Sequence, residues 1–352
     1  MMRIDNPSRG RLAAYFQRLD ERAAESGRLQ FVKYLDLGTH IVRLVNYSAA
    51  FTPHIEKQLT YVLRDAAPRE PDATLVVWQE KDIGSLAAML DDCCNPGKIP
   101  LMRVIKLATG SIPDWELQNL QCLQVFDERY SRHHPLVNID IWNNIVGAHN
   151  PETNTYYYAP ENLEPEEFIK QGHIFVQTFN KILKSPSTAL VHGAAVGLDG
   201  KGILLCARGQ RGKSTLAVRA VLDGFDYVSD DYLVLGREDS GLYAWPIYSI
   251  ITLSPMMYGD LYETLDAKFV SNNARKDKYV FNIARYHDRF AQRYPIHLCM
   301  FTQITADAEP RVVACTQAAK GRAVVQLVHS TISQMGDRHD IVTIRKLMRF
   351  VE

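Results

Sequence analysis

Ala207-Arg208-Gly209-Gln210-Arg211-Gly212-Lys213-Ser214, followed downstream by Asp230-Asp231, is the stretch from which the rest of the chain is read. A phosphate-binding loop needs small residues so that backbone N–H groups can close around phosphate oxygens, a lysine that reaches the β- and γ-phosphates, and a hydroxyl for Mg²⁺. Gly212, Lys213 and Ser214 supply these, and Arg208, Gly209, Gln210, Arg211 and Thr215 belong to the same turn. The departure from G-x-x-x-x-G-K-[ST] is Ala207, where glycine would accept a positive φ; Gly209 restores some of that freedom. A match relaxed to alanine arises by chance in roughly two or three chains of this size in a hundred, so the flanking sequence decides.

Upstream, residues 190–198 and 202–206 are apolar runs joined through Asp199-Gly200, a dipeptide suited to a two-residue type I′ hairpin. With Leu198 opposite Lys201, the register brings His192 opposite Ala207, at the start of the loop. Downstream, residues 213–223 are helix formers that stop before Gly224, a good left-handed residue after a helix end. Such a helix carries the chain about 16 Å away, and residues 225–231, extended at about 3.3 Å each, bring it back. Asp230-Asp231 therefore return to the lysine end, set between the β-formers Tyr227-Val228 and Tyr232–Leu235. Carboxylates that interrupt an apolar strand read as chemistry rather than as a solvated turn. An ordinary aspartate is already ionised at neutral pH, so it needs placement more than tuning.

These residues resemble the HPr kinase/phosphorylases and their HPr-kinase-like relatives, which are similar in core fold to phosphoenolpyruvate carboxykinases. The elements that carry the resemblance are Val191-His192-Gly193, the loop through Lys213-Ser214, and Asp230-Asp231, at the family's mutual spacing. It is specific over residues 190–236. It implies an α/β fold with a C-terminal P-loop domain of that type, and a Mg²⁺-ATP-dependent transfer of a phosphoryl group to a hydroxyl. Lys213 would polarise the β- and γ-phosphates and Ser214 would coordinate Mg²⁺. Asp231 would be the general base, Asp230 a metal partner or a residue just behind one, and His192 the family's active-site histidine. Two departures accompany it. The family's further metal-binding glutamate has no counterpart in Ser254-Pro255-Met256-Met257-Tyr258, and the segment that engages HPr is not recognisable, so HPr is not the expected acceptor.

Composition frames the partners. Lysine plus arginine and aspartate plus glutamate are equal at 40 each, without a basic block, which disfavours nucleic acid. No apolar run approaches a membrane span of about twenty residues, and the start Met1-Met2-Arg3-Ile4-Asp5 lacks a secretory apolar region. The expectation is a cytoplasmic protein without membrane or nucleic-acid partners, and a homo-oligomer is left open. Six cysteines lack C-x-x-C spacing; Cys93-Cys94 are adjacent, and Cys206, Cys299 and Cys315 read as reduced thiols on buried strands. His133-His134 precedes Pro135 without a companion at ligand spacing and reads as loop. Arg275-Lys276-Asp277-Lys278 reads as a solvated run, with phosphate contact as the alternative.

At 352 residues the chain has room for two domains. A smaller N-terminal α/β domain is expected over 1–160, with possible acceptor recognition, then a connecting helix over 161–186 and the nucleotide-binding domain over 187–352. Residues 31–37 and 40–47 flank Gly38-Thr39 as a hairpin, and Thr52-Pro53 open a helix bearing Ile55, Leu59, Val62 and Leu63. Strands are expected over 75–78, 102–107, 123–126, 136–142 and 155–158. The aromatic stripe of 164–184 predicts a helix. Further strands are expected over 242–253, 296–302 and 311–316, and helices over 318–335 and 340–351.

Two functional classes follow. The first is the kinase, with nucleotide and a peptide, protein or small hydroxyl acceptor as partners; ATP, GTP and pyrophosphate stay open as donors. The second is a nucleotide-responsive peptide- or protein-binding module that uses the loop as a switch, which Ala207 and the missing glutamate favour. Carboxykinase chemistry on a small acid ranks third, because the chain is short and no set of substrate arginines is evident.

Overall fold

The computed structural model describes residues 2–3, 9–86, 122–126, 136–140, 145–161, 173–183, 185, 187–207, 211–253, 268–270, 278–283, 288–304, 311–314, 316, 321, 324–325, 327–331 and 348. The chain divides into two compact units. Met1–Leu35, Ile41–His54 and Arg64–Gln171 make the first, and Asp36–His40, Ile55–Leu63 and Gly172–Glu352 make the second.

A nine-stranded mixed sheet organises the first unit. Its strands are β1 (Met2–Arg3), β2 (Phe31–Asp36), β3 (Ile41–Asn46), β4 (Leu63–Arg64), β5 (Ala73–Val77), β6 (Cys122–Phe126), β7 (Val137–Asp140), β8 (Ile145–Asn150) and β9 (Thr155–Pro160). The order is β1-β6-β7-β8-β9-β5-β3-β2-β4, with β3, β5 and β9 parallel neighbours and β6 to β9 an antiparallel meander. Helix α1 (Arg9–Ser26) carries Leu12, Tyr15, Phe16, Leu19 and Ala23 at helical spacing and buries them with Val45, Val76, Trp78, Val146 and Tyr157 of the sheet layer. That helix and β8 are absent from the sequence expectations. Helix α2 (Thr52–Leu59) starts at Thr52-Pro53 as expected, yet Val62 and Leu63 lie beyond it. The Val62 N–H turns back to the Leu59 carbonyl, and Leu63 enters β4 instead.

In the second unit, helix α3 (Val176–Ile182) precedes β10 (Thr188–His192), β11 (Ala194–Leu198) and β12 (Lys201–Cys206). Then come α4 (Lys213–Leu222), β13 (Asp226–Ser229), β14 (Tyr232–Glu238), β15 (Gly241–Pro246), β16 (Ile250–Leu253), β17 (Lys268–Val270), β18 (Lys278–Asn282) and β19 (Tyr294–Phe301). Seven strands form a mixed sheet in the order β10-β14-β15-β19-β12-β11-β13, and β16-β18-β17 form a small antiparallel one. The larger sheet is buried on both faces where it meets α4. Ala195, Leu204 and Cys206 enter one core with Val228 and Leu233, while Ala194, Val196 and Leu205 pack with Ala217 of α4 on the other side. Burial on both faces is why β11 and β12 read as unbroken apolar runs. Helix α4 closes with paired bonds from Gly224 N–H to Val221 O and from Phe225 N–H to Ala220 O, the expected glycine-terminated end.

Four expectations change. The run 190–198 is two strands, split at Gly193, and 242–253 is likewise two, split at residues 247–249. Residues 311–314 are not strand, and Val312 and Val313 are 85% and 82% exposed. The described part of 164–184 is helical only from Val176, because Phe175 adopts φ 62°, which an α-helix cannot contain. Helical backbone does occur at 321, 324–325 and 327–331. Residues 102–107, 254–258 and 275–277, Cys93-Cys94, His133-His134, Cys315 and nearly all of 340–351 lie outside the described residues. Among the described residues, no helix is long and apolar enough to cross a membrane.

Candidate active site

The phosphate-loop turn leaves the end of β12 at Ala207 and enters α4 through Gly212, whose φ of 86° demands glycine. Of the residues between, Arg211 is described and exposed, whereas Arg208, Gly209 and Gln210 lie outside the described residues. Among the described residues no side chain caps α4, and the N–H groups of a helix's first turn without such a cap suit an anion. Lys213 is 5% exposed, and Ser214 and Thr215 are half-buried in that same turn. Thr302, just past β19, holds both ends of the turn. Its N–H donates to Cys206 O at 3.0 Å and its hydroxyl to Arg211 O at 2.8 Å.

The hairpin register is as expected from Leu198↔Lys201 through Ala194↔Leu205, but it stops there. A side chain at Gly193 would press on the Leu205 carbonyl at 3.1 Å, and the Gly193 N–H turns to Asp231 O instead. The preceding residues then pair with β14, so His192 sits opposite Tyr232 rather than opposite Ala207. The histidine thus reaches the acidic pair by a route the sequence arithmetic did not foresee.

The acids occupy the corner between β13, which runs beside β11, and β14, which runs beside β10. Asp231 makes this corner with φ 60°, a left-handed conformation that aspartate tolerates better than most residues. Its carboxylate lies among three side chains. His192 Nε2 is 3.7 Å from Oδ1, His173 Nδ1 is 4.0 Å from Oδ2, and the Thr252 hydroxyl donates to Oδ2 at 3.2 Å. The histidine contacts are longer than hydrogen bonds. His173 and Thr252 belong to no motif and are missed by sequence reasoning.

Asp230 is different in kind. It is fully buried, and neither carboxylate oxygen has a hydrogen-bond partner among the described residues. Burial, then the negative charge of Asp231, push its carboxyl up to about 7, against the weaker pulls of Lys213, the Ser214 hydroxyl and the Asp231 N–H. The Ser214 hydroxyl is thus near enough to favour the charged form without meeting hydrogen-bond geometry. The Tyr227 hydroxyl, also buried and lacking a described partner, feels the same negative charge. An orphaned buried carboxylate beside a hydroxyl costs several kcal/mol when ionised and alone, and it fits a divalent cation that would supply the missing charge. Ser214 and Asp230 would be its oxygen donors; among the described residues no group of three or more His, Cys, Asp or Glu side chains could hold a metal ion.

Lys213, Asp230, Asp231 and His192 therefore come together, at the end of β10, the corner before β14 and the uncapped start of α4. No protein-family model matches the sequence. No curated protein matches it either. Among solved structures the chain is similar to the Hpr(Ser) kinase/phosphatase from Coxiella burnetii, with 15% identity and a TM-score of 0.23 over 35% of this chain and 69% of that one. The functional reading accordingly stands on the geometry of the site itself.

Proposed function

We propose that the second unit is a Mg²⁺-dependent phosphotransferase that moves the terminal phosphoryl group of ATP to a hydroxyl on a peptide, protein or small molecule. One observation carries the reading. A carboxylate flanked by two histidines and a threonine, and a second, orphaned carboxylate, meet a buried lysine at an uncapped helix start. The motif resemblance over 190–236 supports the same chemistry.

Phosphoryl transfer asks for positioning and charge neutralisation more than for covalent chemistry. The open N–H groups of α4 and the Lys213 ammonium would bind the β- and γ-phosphates, joined by Arg211 and by Arg208, Gly209, Gln210 and Thr215 of the turn. Ser214 and Asp230 would hold Mg²⁺, which when bound offsets the charge on the phosphate oxygens. Asp231 would accept the proton of the acceptor hydroxyl and aim its oxygen at the terminal phosphorus. His192 would keep that carboxylate oriented and ionised.

Purified protein incubated with labelled ATP, Mg²⁺ and acceptors such as free serine and short serine peptides should transfer label. Asp231→Asn should lower transfer by about a thousandfold or more while nucleotide affinity stays within about twofold. Undiminished transfer in that variant would remove Asp231 from its role. The second reading, a nucleotide-responsive binding module, is favoured by Ala207 and by the lack of a carboxylate in 254–258. It prevails if ATP binds tightly and no acceptor is ever modified.

A further inference from the structure

His173 is the unassigned member of the cluster around Asp231, and its placement is built from three separate stretches of chain. Its imidazole is 4% exposed. It packs on the Tyr248 ring at 4.3 Å and meets Tyr232 edge-on at 5.4 Å. The next residue is held at both of its backbone polar groups. The Ile174 N–H donates to Gln58 Oε1 at 3.1 Å, and the Tyr248 hydroxyl donates to Ile174 O at 2.5 Å. Gln58 is itself 2% exposed, and its carbonyl accepts the Ser249 N–H, which ties the turn to the approach of β16, the strand that carries Thr252. Phe175 then turns the chain away in the left-handed conformation and packs against Phe179. A non-glycine residue keeps that backbone only where its surroundings over-determine it.

The consequence is geometric. Tyr248, Gln58 and the left-handed turn fix the ring so that Nδ1 faces Asp231 Oδ2, the oxygen that also accepts from Thr252. We infer that His173 is a positioning residue: with Thr252 it holds one oxygen of Asp231 and so aims the carboxylate at the acceptor hydroxyl. This inference rests on the phosphotransfer reading above and extends it to a residue in no phosphate-binding motif.

The test has an arm that does not depend on turnover and one that does. In the first, the His173 ring signals are followed by NMR in the wild-type protein and in Asp231→Asn. Loss of the facing charge should lower the pH midpoint of His173 measurably, whether or not the protein is a kinase. An unmoved midpoint overturns the pairing. In the second, His173→Phe, His173→Gln and Asp231→Asn, together with the Phe/Asn double variant, are assayed for phosphoryl transfer to serine peptides and for basal Mg²⁺-ATP hydrolysis. His173→Phe should lower kcat about 10- to 100-fold with little change in KM for ATP, and His173→Gln should recover part of it. In the double variant His173→Phe should add little, because its effect runs through Asp231. Multiplied losses, or an unchanged kcat in His173→Phe with an intact melting curve, overturn the role. A shifted NMR midpoint in a wild-type protein that turns over no acceptor removes the phosphotransfer reading, and with it the aiming function, while leaving the pairing as fact.

Discussion

Asp230 shows at the scale of one residue how burial sets the chemistry available to a side chain. Its carboxyl lies near 7 in the folded chain and near 4 in an unfolded one. The native state therefore keeps a proton that the unfolded chain releases between those values. The contribution of this group to stability is complete below about pH 4 and is lost as pH rises through about 7. Asp230→Asn should flatten that slope. Thermal melts of nucleotide-free protein between about pH 5 and about pH 8 should run nearly parallel to the pH axis for this group in the variant. The melting temperature near pH 8 should rise by about 2–4 °C for each kcal/mol relieved. The same substitution should abolish Mg²⁺-dependent transfer, so stability and activity move in opposite directions, as expected where a site stores an unfavourable charge. The identity of Asp230 as a special residue was legible, because an acidic pair between β-formers is out of place. That its oxygens find no hydrogen-bond partner among the described residues was not, since this follows from tertiary packing.

At the scale of elements, the hairpin and α4 were readable because each is specified locally, by Asp199-Gly200 and by the stretch from Gly212 to Gly224. The break at Gly193 was not, because β10 leaves β11 to satisfy hydrogen bonds offered by β14, which lies forty residues downstream. Thr302 belongs to the same class. It lies just beyond a strand that runs parallel to β12, and it bonds to the residues before and at the end of the phosphate turn. Thr302→Val removes the hydroxyl that holds Arg211 O while leaving the backbone bond to Cys206. A single hydrogen bond of about 0.5–1.5 kcal/mol predicts nucleotide affinity weaker by about three- to tenfold in calorimetric titration, with a melting temperature nearly unchanged. Equal affinity in the variant would show that the turn holds its shape without this bond.

For the molecule as a whole, the first unit draws its stability from the α1 layer on its sheet and from one buried acid. Glu80 is 2% exposed, and although burial opposes its charge, Arg22, the Trp78 N–H and the backbone N–H groups of Lys81 and Asp82 outweigh that and lower its pKa. Arg22 reaches it through two bonds, of 3.2 and 3.0 Å. A group held below its unfolded value stabilises above that value and loses its contribution as pH falls through the folded one. Glu80→Gln should therefore cost about 1–3 kcal/mol at neutral pH in denaturant unfolding of the full chain. The gap from wild type should narrow below about pH 4. A gap that stays constant down to acid pH would show that packing, not charge, is what the substitution disturbs.

By itself the sequence determined the parts whose specification is local: a helix that opens after Gly212, the hairpin before it, and an acidic pair returned to the same end. It also pointed to the helix that opens at Thr52-Pro53, whereas α1, whose apolar period stands in the sequence, was absent from the expectations. Tertiary structure alone decided the rest. His173, Thr252 and Thr302 come to the site from places distant in sequence, through strand pairing and packed rings that no local pattern encodes. The raised pKa of Asp230 comes first from its burial, which only the packed structure supplies, and then from the charge of Asp231 beside it.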